Sequence, residues 1–190
     1  MQDAVRFATR HDVARLLADL AAAVEVARWI EKPAKDRYFE WSAIPLYTQY
    51  GAVSSAAVDL HVPVTMAGDF APTPAGRACG HVREIVDAFA AARLRVRFMR
   101  LGPGGRIGRH RDRQYGWELP ILRLHVPVVT NPDVELLLAD RRVVMAPGEL
   151  WYLDTTKEHE VVNRGATERV HLVIDLVNGP ALREQLTGWL

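Results

Sequence analysis

The stretch Arg95-Val96-Arg97-Phe98-Met99-Arg100-Leu101 marks a change in the pattern of this chain. Before it, apolar residues recur every three or four positions. From Leu94 onward Val96, Phe98 and Leu101 alternate with Arg95, Arg97 and Arg100. A period of two sends successive side chains to opposite faces, so a half-buried strand is expected here. Gly102-Pro-Gly-Gly105 reads as a turn. Short strand-like segments then succeed one another at Ile121–Val129, Val134–Leu138, Arg142–Met145, Leu150–Leu153, Glu160–Asn163 and Arg169–Leu176. Turn residues separate them at Asn131-Pro132, Ala139-Asp140, Pro147-Gly148 and Arg164-Gly165. Many short strands at this spacing predict a mainly β sandwich or barrel.

The chain upstream is different. His11 to Arg28 reads as a helix opened by Asp12, with Val13, Leu16, Leu17, Leu20, Ala23 and Val24 on one face. Tyr38 to Tyr47 reads as extended: Trp41, Ile44, Leu46 and Tyr47 either lie near a cavity or form a core strand flanking the sheet. Thr48 to Pro74, rich in small residues, glycine and proline, is expected to be a long irregular loop of the kind that serves as a lid or binding loop. Pro74 opens a second helix reaching about Ala92, with Val82, Ile85, Val86 and Phe89 on its apolar side. Leu182 to Leu190 reads as a last short helix. Residues 1–190 are therefore expected to form one domain. Its parts are a helical and loop region over 1–93, a β core over 94–176 and a C-terminal helix over 177–190.

Composition narrows the function. Lys+Arg is 24 and Asp+Glu is 23, a net charge of +1 that gives no reason to expect nucleic acid as a partner. The arginines nevertheless cluster at 106, 109, 111, 113 and 123, which suits a pocket for small anions. The single cysteine, Cys79, excludes an intramolecular disulfide framework and a multi-thiolate metal site, and reads as a small buried hydrophobe. No run of eighteen apolar residues and no basic-then-apolar leader is present, so the expectation is a cytoplasmic protein without a membrane span.

The chemistry gathers in Gly-Arg-His110-Arg-Asp112-Arg, in Arg123-Leu-His125, in Glu-His159-Glu and in Arg169-Val-His171. His110 and Asp112, one residue apart, point the same way if they lie on a strand. His159, from a distant strand folded back beside them, is the natural third donor. Two imidazoles and one carboxylate on one face of an octahedron are the ligand set of non-haem Fe(II) oxygenases. By itself H-x-D is a weak signal. It gains weight because Arg169 follows His159 by ten residues in strand-like sequence. A buried guanidinium there offers a planar, bidentate partner to the far carboxylate of 2-oxoglutarate. The alternative is a core-edge arginine paired with Asp175 or Glu168. Arg123 and His125 share one face of their strand, facing either a cavity that receives carboxylates or solvent. His171 lies on the face of Arg169 and belongs beside the site or in the core. Arg111, Arg113, Tyr115 and Trp117 either stand at the pocket mouth and select substrate, or belong to a solvated loop. His81 reads as a surface or satisfied histidine.

Taken together with Pro147-Gly-Glu-Leu-Trp-Tyr-Leu-Asp154 and Asn163, these motifs resemble the aspartyl/asparaginyl β-hydroxylase family, which includes bacterial free-proline hydroxylases. The resemblance covers about Leu94 to Leu176. It extends more weakly to Trp41–Tyr47, where Trp-x-x-Ile-Pro-Leu-Tyr is similar to the N-terminal part of proline hydroxylases. It implies a double-stranded β-helix (jelly-roll, cupin-like) core with flanking helices, and hydroxylation of an unactivated C–H with Fe(II), 2-oxoglutarate and O2. His110, Asp112 and His159 would hold iron. Arg169, Arg123 and His125 would face the co-substrate, and Arg111, Arg113, Trp117 and Trp41 the substrate, a free amino acid of the Asp/Asn or Pro type. Asp112 aligns the chain with bacterial amino-acid hydroxylases, because the animal enzymes lack that ligand and halogenases vacate it for chloride. The proline hydroxylases carry a C-terminal helical region beyond the point corresponding to Leu190, which leaves the substrate open.

Two other readings stand beside this one. The first is an oxygenase acting on a peptide- or carrier-bound residue, with Thr48–Pro74 forming a groove. The second is a non-catalytic, cupin-like module that binds a metal or small molecule. The oligomeric state is not legible.

Overall fold

The computed structural model describes residues 2–31, 38–53 and 69–190. In chain order the elements are β1 (Ala4–Arg10), α1 (Val13–Val26), β2 (Ile30–Glu31), β3 (Tyr38–Gln49), β4 (Phe70–Pro72), α2 (Pro74–Ala78), α3 (Gly80–Asp87) and β5 (Arg93–His110). They continue as β6 (Ile121–Val129), β7 (Val134–Leu138), β8 (Arg141–Val143), β9 (Glu149–Leu153), β10 (His159–Asn163), β11 (Arg169–Val177) and α4 (Pro180–Thr187). The strands form one eleven-stranded antiparallel sheet in the order β1-β9-β6-β11-β5-β10-β7-β8, with β3 also on β5 and carrying β2 and β4. The sheet curls into the nearly closed barrel expected of a jelly-roll.

Alternation along three central strands decides what the barrel contains. On β5, β6 and β11 the even-numbered Val96, Phe98, Leu124, Val126, Leu172 and Ile174 face the helices. There they meet Leu16 and Leu20 of α1, Val82 and Ile85 of α3, and Leu182 and Leu186 of α4 in one buried cluster. Burial of each such side chain contributes about 1.5–3 kcal/mol, so this layer anchors the sheet. The odd-numbered positions face inward. Beside an apolar inner cluster that includes Trp41, Met99, Leu101, Leu138 and Val161, they carry Arg95, Arg97, Arg123, Arg169, His171 and Asp175, all buried.

Several elements differ from expectation for identifiable reasons. Gly102–Gly105 does not turn the chain: it stays within β5, whose residues 93–101 pair with β11 and whose residues 106–110 pair with β10. Gly104 takes a left-handed φ of 72°, and a Cβ on Gly105 would fall 2.8 Å from the Gly102 carbonyl oxygen. Glycine here bends a strand instead of ending it. The second helix is two helices, broken at Cys79. Gly76 lies so close to Leu46 that a Cβ would be 2.0 Å from its carbonyl oxygen, and the Thr73 hydroxyl caps α2 by accepting from Gly76 N–H at 3.1 Å. On α1 the buried stripe is Leu16, Asp19, Leu20 and Ala23, while Leu17 and Val24 are exposed. Asp19 belongs to that stripe because its Oδ2 accepts from Val82 N–H at the start of α3, at 2.7 Å.

Residues 1–93 supply strands as well as helices. β1, unforeseen, pairs with β9. Thr48-Gln49 ends β3 and pairs with Phe70-Ala71 of β4, so both ends of the expected loop are strand. Residues 54–68, where a lid or groove was expected, lie outside the described residues.

Candidate metal centre

His110 closes β5 and His159 opens β10, and the register places them directly opposite each other, with ring centroids 4.1 Å apart. Each ring is turned by its own backbone. His110 Nδ1 lies 2.8 Å from the Gly108 carbonyl oxygen and His159 Nδ1 lies 3.0 Å from that of Lys157. A carbonyl only accepts, so each Nδ1 carries the proton and each Nε2 is the basic nitrogen a metal requires. Asp112 lies just past the end of β5, where its N–H donates to the Thr155 carbonyl at 2.8 Å. Its Oδ1 stands 3.8 Å from His110 Nε2. The three residues offer ligand atoms all within 4.8 Å of one another, and among the described residues they are the one such group of His, Cys, Asp and Glu. Donors each about 2.1 Å from a common ion stand about 3 Å apart on one octahedral face, so side-chain shifts of about 1 Å would close this set on one ion.

The other oxygen of Asp112 accepts from Arg123 Nη1 at 3.0 Å. Arg123 also forks onto Asp175, Nε to Oδ1 at 2.6 Å and Nη2 to Oδ2 at 3.0 Å. Arg97 Nη2 donates to the same Oδ2 at 3.3 Å, and Arg95 Nε lies 3.9 Å from it. Tyr115 lies beneath this group: the Arg123 guanidinium sits 3.5 Å over its ring, and its hydroxyl accepts from Arg95 at 2.9 Å. Burial alone would raise the Asp175 carboxyl, but Arg123 and Arg97 outweigh it and hold the group at about 2. Burial, with Arg123 and Arg95 nearby, lowers Arg97 to about 10. Arg123, expected to face the co-substrate, is thus committed to two carboxylates.

Arg169 is different. It is 4% exposed, and its Nη2 meets His171 Nδ1 at 2.8 Å. Among the described residues no carboxylate approaches it and its Nε has no hydrogen-bond partner. The pairing with Asp175 or Glu168 considered from the sequence does not occur: Asp175 is taken by Arg123 and Arg97, and Glu168 lies near Arg100. Burial lowers the guanidinium to about 9. Burial followed by neighbouring cations also pushes His125 and His171 well below the ordinary imidazole range, so both are neutral. The two rings meet edge to face at 6.1 Å, and among the described residues neither nitrogen of His125 has a hydrogen-bond partner.

The residues expected to select substrate lie in three different surroundings. Trp117 packs edge to face on Tyr152, at 5.7 Å, against the helix-side core. Its N–H donates to the Tyr152 hydroxyl at 2.8 Å. The loop after Asp112 returns to the sheet, where Tyr115 bridges Ile121, so that Tyr115 is buried and Trp117 partly buried. Arg111 and Arg113 are exposed, Arg111 lying 3.7 Å from Glu158, which matches the solvated-loop alternative. Trp41 is packed in the inner core. Sequence reasoning missed Arg95 and Arg97, read as a solvent face, and Asp175 as their shared anion. The signal available was three arginines and one aspartate at alternating positions of strand-like sequence; of the three, Arg123 stands directly opposite Asp175.

Comparison with known proteins agrees with this geometry. A model of the aspartyl/asparaginyl β-hydroxylase family matches residues 10–179. The chain is 27% identical over 168 residues to L-proline cis-4-hydroxylase of Rhizobium meliloti (strain 1021), covering 87% of this chain and 58% of that protein. It therefore spans less than two thirds of that relative's length. Among solved structures it is similar to a non-haem α-ketoglutarate-dependent carbocyclase from nogalamycin biosynthesis, with TM-score 0.61 and 10% identity over 93% of this chain and 80% of the other. It is also similar to a Pseudomonas putida prolyl-4-hydroxylase, with TM-score 0.54 and 14% identity over 94% of each chain. At these identities the structural likeness speaks to the fold, while the family match spans most of the sequence: the chain belongs to the aspartyl/asparaginyl β-hydroxylase family.

Proposed function

We propose that this protein is an Fe(II)- and 2-oxoglutarate-dependent dioxygenase that hydroxylates an unactivated C–H bond of a free amino acid. One observation carries the reading. A His110–Asp112–His159 face, with both Nδ1 atoms turned away onto carbonyls, shares a barrel interior with Arg169, a buried cation that has no carboxylate partner among the described residues. The first feature leaves three positions of an octahedral ion for other ligands. The second is costly to fold unless an anion arrives to meet it.

The residues divide the work. His110, Asp112 and His159 hold the iron, and Arg123 fixes the rotamer of Asp112 while Asp175 absorbs the charge of Arg123. Arg169 receives the far carboxylate of 2-oxoglutarate through a fork that matches it. Neutral His171 accepts a hydrogen bond from Arg169 and orients it without adding charge. His125 contributes two shielded nitrogens to the same inner face. Bound there, iron, 2-oxoglutarate and O2 supply the oxidising power for C–H hydroxylation, with release of succinate and CO2. The relative's name, a proline hydroxylase, supports a small amino acid as substrate.

The test is succinate formation from 2-oxoglutarate by iron-loaded protein under air, with L-proline, L-aspartate or L-asparagine added in turn. The reading expects at least one to raise the rate about tenfold or more, and His110→Ala to abolish it. A flat response to free amino acids, with stimulation by a peptide containing the same residue, would replace the free substrate with a tethered one. No succinate under any condition would leave a metal-binding module.

A further inference from the structure

Beside Arg169 the described residues leave open space. A cavity of about 330 Å³ has Arg169 and His171 in its wall, together with the apolar Val134, Leu136, Val143 and Met145. Thr130, Asn131 and Arg142 line it as well. That volume equals about ten liquid water molecules and lies within the range of whole ligand sites, so it far exceeds what one carboxylate head needs.

Register places this space toward the end of the barrel that holds Arg169: Arg169 stands opposite Leu101 of β5, whereas His159 stands opposite His110. His159 stands opposite Leu138, whereas Val134 stands opposite Asn163, at the other end of the β7–β10 pair. The four intervening residue steps amount to about 13 Å. A ligand that runs from the metal face and ends on Arg169 therefore meets open, largely apolar space at its far end. The walls suit methylene groups. Arg142, exposed and holding the Pro132 carbonyl at 3.2 Å, adds a second cation for a carboxylate that reaches further.

We infer that the co-substrate site accepts a 2-oxo-dicarboxylate one carbon longer than 2-oxoglutarate, the additional methylene occupying this cavity while the distal carboxylate stays on the Arg169 side of Arg142. The inference rests on the function proposed above, in which Arg169 binds the distal carboxylate. A site closed behind Arg169 would discriminate by chain length, since inserting a methylene into packed space costs about 1–3 kcal/mol. This one has room for it.

The experiment is anaerobic calorimetry of the iron-loaded protein with 2-oxoglutarate and with 2-oxoadipate. The wild type is expected to bind 2-oxoadipate within tenfold of 2-oxoglutarate. Filling the cavity, by Val134→Phe or independently by Met145→Phe, is expected to raise the ratio of the two dissociation constants at least tenfold. Thermal melts identify any variant that has lost its fold, and the second substitution then carries the test. Wild-type protein that binds 2-oxoglutarate but holds 2-oxoadipate more than tenfold more weakly overturns the inference, as does a ratio indifferent to both substitutions. Failure of 2-oxoglutarate itself to bind overturns the oxygenase reading instead.

Discussion

Arg123 reaches two carboxylates at once, with Nη1 donating to Asp112 Oδ2 at 3.0 Å while Nε and Nη2 fork onto Asp175. The carboxylate of the metal face is thus positioned by a cation that is itself held by a fully buried acid on β11. Removing the guanidinium affects both. For Arg123→Gln we expect metal affinity to fall about 10–100-fold, as for other partners that orient a ligand. Stability should fall by about 3–5 kcal/mol, because Asp175 loses its fork in a dry interior. Manganese titration and urea unfolding read the two effects. Arg123→Lys, which keeps the charge without the fork, should recover part of the stability and little of the metal affinity.

Arg169 predicts the opposite sign. It is a buried cation without a carboxylate partner among the described residues, and burial already lowers it to about 9. In the absence of ligand, Arg169→Met should leave the melting temperature unchanged or raise it, since an uncompensated charge is removed. The wild-type protein loaded with manganese should gain about 2.7 kcal/mol from 2-oxoglutarate at one hundred times its dissociation constant. The variant should gain nothing at that concentration. Differential scanning calorimetry with and without 2-oxoglutarate separates the two terms.

His171 sets a pH dependence. Burial first, then Arg169 and His125, hold its pKa well below 6.5, and its Nδ1 accepts a hydrogen bond from Arg169 that a proton would abolish. Below pH 6.5 the unfolded chain binds a proton there and the folded one does not. The contribution is therefore fully present above pH 6.5 and is lost as pH falls toward the folded value, by about 1.4 kcal/mol per pH unit. His11 and His125 are lowered as well and add to the wild-type slope. Urea unfolding between pH 4.5 and 6.5 should show His171→Gln with a slope smaller by about that amount. Asp175, held at about 2, adds a loss of its own as the pH falls through the ordinary carboxylate value of 3.8 toward 2, mostly below this window.

Gly76 and Gly80 form a matched pair in the helices that cover the sheet. A Cβ on Gly76 would meet the Leu46 carbonyl oxygen at 2.0 Å, whereas one on Gly80 meets nothing within 4 Å. Gly76→Ala must push α2 off β3 and should cost more than about 3 kcal/mol, in the range of severe core disruptions. Gly80→Ala should be neutral or stabilising by up to about 1 kcal/mol. Thermal melts of the two variants decide whether α2 packs against β3 as closely as described.

The strands after Leu94 were legible because each is short, alternating and bounded by turn residues; β6 and β7 fall at the expected residues. The grouping of His110, Asp112 and His159 was legible for a chemical reason, since few residue types bind iron and their spacing suited paired strands. What escaped the sequence was context. Gly102–Gly105 has turn composition, but the flanking segments both find partners in register, so the chain stays extended. Arg95 and Arg97 look like a solvent face until Asp175 and Tyr115, distant in sequence, are seen to face them. Trp117 sits two residues beyond Tyr115 in a polar loop, and nothing local says that it packs against Tyr152. Arg123 was legible as a buried cation but not as the partner of Asp112, because only the fold brings those side chains together.

The most direct test of the central claim is the fate of molecular oxygen. Iron-loaded protein, 2-oxoglutarate and the stimulating amino acid are incubated under ¹⁸O₂, and succinate and hydroxylated product are measured by mass spectrometry. The account predicts one ¹⁸O in the hydroxyl group, about one succinate per product molecule, and neither product from His110→Ala. Succinate formed without any labelled hydroxylation of an amino acid, peptide or carrier-bound residue would contradict it.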